Sequence, residues 1–206
     1  MALQLDTMMI RAIVLDMDGV IRHIDLETAE KATRSINLTF DELMTVLWDN
    51  ESGRMLLRGE ISRNVWWSIS QSEDNRLADV PQKFVWDSVF AKSSIDKKIV
   101  DYVRTNTESL TTAIFTNCDS VSKSQVISDL GPNHPFDYVV SSSDIGATKP
   151  EKEAFLRMLE TIQLSAQDCV FFDDSRTNIE AAMEIGIHSF LFKDLTHLKN
   201  TLESFR

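Results

Sequence analysis

The sequence predicts an α/β protein: a parallel sheet with helices on both faces, and a small all-helical unit inserted after the first strand. Three observations predict it. One short apolar run, residues 10–16, stands alone near the start. Residues 22–94 then carry helical periodicity and no convincing strand. From residue 95 onward, short apolar runs alternate with helix-length stretches. Strands separated by helices imply parallel pairing with both faces of the sheet covered. The core is therefore expected from residues 1–21 and 95–206, and the helical insert from 22–94. At 206 residues, 43% hydrophobic and 26% charged, the chain can bury one good core plus a smaller one.

The elements follow in order. Ile13-Val14-Leu15 gives the first strand its buried run, and Gly19 then permits a sharp turn. Within the insert, helices are expected near 26–36, 40–49, 61–73 and 82–90. All four tryptophans, Trp48, Trp66, Trp67 and Trp86, fall there. They either build the insert's own core or place one ring beside a ligand. A helix at 95–109 returns the chain to the sheet, followed by a strand at Ala113-Ile114-Phe115 and a helix at 120–130. A strand at Tyr138-Val139-Val140 leads to a helix at 151–162, opened by Pro150. Cys169-Val170-Phe171-Phe172 reads as a buried strand, 176–185 as a helix and 188–192 as the final strand. The result is a Rossmann-like sheet, in which ligands bind beyond the carboxyl ends of the strands. The ends of the strands at 14, 115, 140 and 172 then share one rim.

Composition excludes several functions. A net charge of −11 argues against nucleic acid, which is gripped by faces rich in Lys and Arg. Two cysteines, Cys118 and Cys169, make no disulfide framework, so a reduced, cytoplasmic setting is expected. No run approaches the ~18 apolar residues of a membrane span, and the start lacks the pattern of a signal peptide. Met9-Ile10-Arg11 resembles a natural start, which makes residues 1–8 a tail of little consequence.

Each strand end on the rim carries a polar signal. Asp16 and Asp18 close the first strand, and two carboxylates there are costly unless they bind a cation or do chemistry. A calcium loop would need further oxygen ligands at alternating positions, but Val20 and Ile21 follow. Thr116-Asn117 offers a short hydroxyl beside backbone N–H groups at a helix start, which suits a phosphate oxygen. The alternative is a helix cap, but Asp119 or Ser120 can serve as cap and free Thr116. Lys149 precedes Pro150; it either reaches over the rim to an anion or is an ordinary solvated lysine. Asp173-Asp174 follows another apolar run and again demands a cation, or else forms a loop before the next helix. Together the four acids outweigh a Mg²⁺ and Lys149. A phosphate dianion can approach only with the metal present and one carboxyl, Asp18, still protonated.

Taken in order, these segments resemble the four motifs of the haloacid dehalogenase (HAD) superfamily, in its phosphatase branch. Asp16-Met17-Asp18-Gly19-Val20 is similar to the first motif and Phe115-Thr116-Asn117 to the second. Lys149-Pro150 is similar to the third and Phe172-Asp173-Asp174 to the fourth. The insert resembles a C1-type cap. Arg58-Gly59-Glu60-Ile61-Ser62 with Trp66, and Asn178-Ile179-Glu180-Ala181-Ala182, resemble the subgroup of bacterial glucose-1-phosphate phosphatases and the phosphatase domain of soluble epoxide hydrolases. Asn178 and Asp144 depart from a pattern in which many members carry an acid and Glu, respectively.

The resemblance implies a Mg²⁺-dependent phosphatase for a small phosphorylated metabolite, such as a sugar phosphate, acting as monomer or homodimer. By it, Asp16 is the nucleophile and Asp18 the acid and base. Mg²⁺ is held by Asp16, the Asp18 backbone carbonyl and Asp174, with Asp173 supporting from behind. Thr116, the Asn117 amide and Lys149 hold phosphate oxygens, and the cap closes over the site with hinges near Arg22-His23 and 91–94. Arg22 and His23 are candidates for contact with the leaving group, against the alternative of surface linker. A phosphomutase needs the same acid pair. A dehalogenase dispenses with Asp18, because halide leaves without a proton. A catalytically idle binding protein would have no need to retain all four motifs. Cys118 is expected to pack beneath the loop rather than react.

Overall fold

A computed structural model describes residues 9–205, so the expectation about residues 1–8 lies outside the described residues. Strand β1 (Ala12–Leu15) is wholly buried. The chain then turns back on itself: Ile21 N and Arg22 N both donate to the Met17 carbonyl, at 2.9 and 2.7 Å. Gly19 supplies the positive φ of +79° that this turn requires. A two-residue strand, β2 (Arg22–His23), follows.

The insert comprises α1 (Leu26–Arg34), α2 (Phe40–Trp48), α3 (Glu51–Leu57) and α4 (Arg63–Glu73). Short turns over Asn75–Leu77 and Val85–Val89 complete it. Asp25, Thr39, Asn50 and Ser62 each accept a backbone N–H at a helix start. The helix expected at 82–90 is found over residues 83–89, its last five residues, Val85–Val89, wound as a wider π-type turn. Helix α3 lies outside the expected helices, and Gly53 within it is a poor helix former. Packing overrides that: a Cβ at Gly53 would lie 2.5 Å from the Leu47 carbonyl oxygen, so only glycine lets α2 and α3 meet. Trp66 is fully buried and stacks on Trp48 at 5.0 Å, among Leu43, Leu47, Leu56 and Val85.

The chain returns through β3 (Ser94–Ile95), which pairs antiparallel with β2. There follow α5 (Lys97–Asn106), β4 (Thr111–Thr116), α6 (Ser120–Leu130), β5 (Tyr138–Ser141) and the short α7 (Ser142–Ile145). Then come α8 (Lys152–Ile162), β6 (Cys169–Asp173), α9 (Arg176–Glu184), β7 (His188–Leu191) and α10 (Leu195–Glu203). The helix expected at 95–109 starts later, because 94–95 is strand and Asp96 caps α5. Helix α10, after what was expected to be the last element, is capped by Asp194 and buries Leu198 and Leu202.

The main sheet is parallel, in the order β5-β4-β1-β6-β7. Alternation along β1 sends Ala12 and Val14 into one core layer, with Phe115, Phe155 and Phe171. Ile13 and Leu15 enter the other, with Ile99, Val103, Phe172 and Leu198. A third apolar cluster, drawn from α1 through Phe90, belongs to the insert. Among the described residues no helix is long and apolar enough to cross a membrane.

Candidate active site

The carboxyl ends of β1, β4 and β6 converge on one buried cation, Lys149. The Lys149 ammonium donates to Asp16 Oδ1 and Asp173 Oδ2, each at 2.7 Å, and to the Phe115 carbonyl at 2.9 Å. That satisfies all three of its protons. Its side chain is only 2% exposed, so the solvated alternative is overturned. The position is built by Asn117, whose side chain donates to the Lys149 carbonyl at 2.8 Å and accepts from the Lys149 N–H at 2.9 Å. Asn117 thus clasps the loop that delivers Lys149, a role its sequence position did not reveal.

Burial and charge set the protonation of this group. Burial pushes the Asp16 carboxyl up to about 7, against the pull of Lys149 and with help from Asp173. Burial would lower Lys149, but the Asp16 and Asp173 carboxylates outweigh it and hold the ammonium above its usual range. Two carboxylates sharing one ammonium leave an excess of negative charge for a cation to neutralise.

The fourth motif supplies the rest. Asp173 is fully buried, and both its oxygens are engaged. Besides Lys149, it accepts the Ser175 N–H at 2.8 Å and the Asn178 side chain at 3.0 Å on each oxygen. Asn178 therefore secures Asp173. Asp174 points the other way: its Oδ2 lies where a Cβ on Gly19 would stand, at 2.0 Å from that position. Oxygens of Asp16, Asp173 and Asp174 all lie within 4.8 Å of one another. Hard oxygen donors so close suit Mg²⁺. Asp174 approaches the first loop through the space that a side chain at Gly19 would fill, so these three acids could hold the ion.

Asp18 stands apart from that cluster. Its carboxyl is 43% exposed and is gripped by Arg22, Nε to Oδ1 at 2.6 Å and Nη2 to Oδ2 at 2.9 Å. Arg22 therefore reaches Asp18, whereas the expectation gave it a leaving group or a linker role. His23 is not brought to the site. It lies 4.0 Å from Asp96, about half exposed, on the other side of β2. Thr116 is buried at the end of β4. Asp119 caps α6 by accepting from Val121 N and Ser122 N at 2.8 and 2.9 Å, which leaves Thr116 out of the cap. Cys118 is buried and its thiol is pushed up to about 12, chiefly by burial, which keeps it un-ionised.

The insert meets the rim along residues 57–63. Arg58 donates to Glu151 at 2.6 Å, and Glu151 also accepts from Thr148, next to Lys149. Arg63 donates to Asp119 and Ser122, each at 2.8 Å, and lies 4.1 Å over the Trp86 ring. Ser142 Oγ donates to the Leu57 carbonyl at 2.6 Å. A Cβ on Gly59 would stand 3.0 Å from the Ser143 carbonyl oxygen. Nothing in the spacing of these residues announced the pairing.

The sequence profile of a family described as haloacid dehalogenase-like hydrolase matches residues 13–192. The chain is 25% identical over 217 residues to the bifunctional epoxide hydrolase 2 of Sus scrofa, covering 95% of this chain and 39% of that protein. It thus spans about two-fifths of the length of the curated relative it matches. Among solved structures, a HAD family enzyme from Bacteroides thetaiotaomicron in complex with magnesium and inorganic phosphate shares the fold. Its TM-score is 0.73 at 20% identity, covering 92% of this chain and 98% of the other. An L-2-haloacid dehalogenase shares it with a TM-score of 0.66 at 18% identity, covering 92% and 88%.

Proposed function

The chain belongs to the haloacid dehalogenase-like hydrolases, and on that premise we propose that it is a Mg²⁺-dependent phosphatase that hydrolyses a small phosphorylated metabolite through a phosphoryl group carried on Asp16. The observation that carries this reading is Lys149 held between Asp16 and Asp173 at 2.7 Å, with a second carboxyl, Asp18, two residues beyond the nucleophile. Asp16, Asp174 and the Asp18 carbonyl would hold Mg²⁺, whose positive charge would offset both the carboxylates and the incoming phosphate. Asp16 attacks phosphorus, and the bond from phosphorus to the ester oxygen breaks. Asp18 gives that oxygen a proton, then takes one from the water that attacks the aspartyl-phosphate and releases inorganic phosphate. Thr116 and the Asn117 backbone N–H hold the phosphoryl oxygens, and Lys149 holds them by exchanging its bond to the Phe115 carbonyl for one to the phosphoryl group. The insert covers the rim, excludes water and selects the leaving group.

Asp18 separates this reading from dehalogenation, which expels halide and needs no proton donor. The magnesium and phosphate complex of the Bacteroides enzyme supports the same side. The test is a panel of phosphomonoesters and 2-haloacids assayed with Mg²⁺ and after chelation. Phosphate release that disappears on chelation, with no halide release, is expected. Halide release without phosphate release would overturn the proposal.

A further inference from the structure

We propose that Arg22 is a positioning residue for Asp18: its guanidinium fork fixes the Asp18 carboxyl for proton transfer, from a strand that joins insert to core. The inference rests on the phosphatase reading above. Asp18 is 43% exposed and sits within a tight turn, so its side chain has room to rotate. Arg22 removes that freedom by holding both oxygens, at 2.6 and 2.9 Å. The grip uses one lone pair on each oxygen and leaves another to carry the proton that passes to the leaving-group oxygen, or later to accept one from water.

The fork itself stands on a fixed base. Arg22 N donates to Met17 O at 2.7 Å, and Arg22 O accepts from Gly19 N at 2.8 Å. In the ladder it pairs with Ile95, where the insert ends. Its side chain is 17% exposed. Arg22 thus belongs at once to the loop that bears Asp16 and to the strand pair through which the insert is attached. The fork also keeps Asp18 out of the cluster of Asp16, Asp173 and Asp174. A free Asp18 carboxyl would have that cluster's cation as a competing destination. A lysine offers one point charge in place of the planar fork and cannot hold both oxygens in the same geometry.

The test is a double-mutant cycle on Arg22→Gln and Asp18→Asn, read as kcat and KM for an alkyl phosphate and as the first turnover of an aryl phosphate. Arg22→Gln should lower kcat about tenfold or more on the alkyl phosphate, with KM changed less than about threefold, and should cost less on the aryl phosphate. In the Asp18→Asn background the same change should cost less than about twofold, because Arg22 acts through Asp18. Arg22→Lys should fall between wild type and Arg22→Gln, and it carries the same comparison if the glutamine variant does not fold. Equal losses in both backgrounds, or an unchanged kcat, would overturn the inference while leaving the phosphatase reading intact. A wild-type chain that hydrolyses none of the phosphomonoesters removes that reading, and the inference with it.

Discussion

At Gly19 a hydrogen stands where any other residue would place a carbon 2.0 Å from Asp174 Oδ2, on a backbone with φ +79°. Gly19→Ala must therefore both strain the turn, at about 1 kcal/mol, and push Asp174 away. Calorimetric Mg²⁺ affinity should fall at least about tenfold, with only a modest drop in thermal stability. Unchanged affinity would show that Asp174 does not hold the metal. Single residues were legible wherever they broke a local rule. Acids at the ends of apolar strands are such breaks, and Asp16, Asp18, Asp173 and Asp174 stood out for that reason. Lys149 broke no rule, since a lysine before a proline is commonplace; its burial is created by Asn117, 32 residues away in sequence. Arg22 and His23 were read as one unit because they are adjacent. A strand sends neighbours to opposite sides, so one meets Asp18 and the other faces Asp96.

Among the elements, the contact between insert and core depends on a few polar anchors. Arg63, at the start of α4, joins Asp119 at the start of α6, and both side chains are largely buried, 17% and 6% exposed. Removing the arginine leaves Asp119 without its charged partner, although it still caps α6. Arg63→Ala should cost about 1–3 kcal/mol and speed amide exchange in the first turns of α4 and α6, while the sheet stays protected. Unchanged exchange in those turns would mean that other contacts hold the insert. The five strands of the main sheet were legible because their apolar runs are short and bounded, whereas β2 and β3, two residues each, were not. Helix α3 lay outside the expected helices, and the use of its Gly53 becomes visible only once α2 lies beside it. Helix α10 follows what was expected to be the final strand, and its Leu198 and Leu202 complete one layer of the core.

For the molecule as a whole, the alternation of strands and helices made the fold class legible, but not the strand order. In the order β5-β4-β1-β6-β7 the chain leaves β1 in both directions across the sheet. Asp16 therefore sits at the point where the winding switches sides, where such sheets bind ligands. The proposed chemistry belongs to that rim, and the insert has an apolar cluster of its own. The central claim is that Asp16 carries the phosphoryl group. It is tested most directly by acid-quenching a single turnover of a phosphomonoester with Mg²⁺ and locating protein-bound phosphate by peptide mass spectrometry. The account predicts a phosphoryl group on the Asp16 peptide, longer-lived in Asp18→Asn, and a loss of turnover of several orders of magnitude in Asp16→Asn. Phosphate release with no protein-bound phosphoryl group, or an Asp16→Asn variant that keeps more than about a tenth of wild-type turnover, would contradict it.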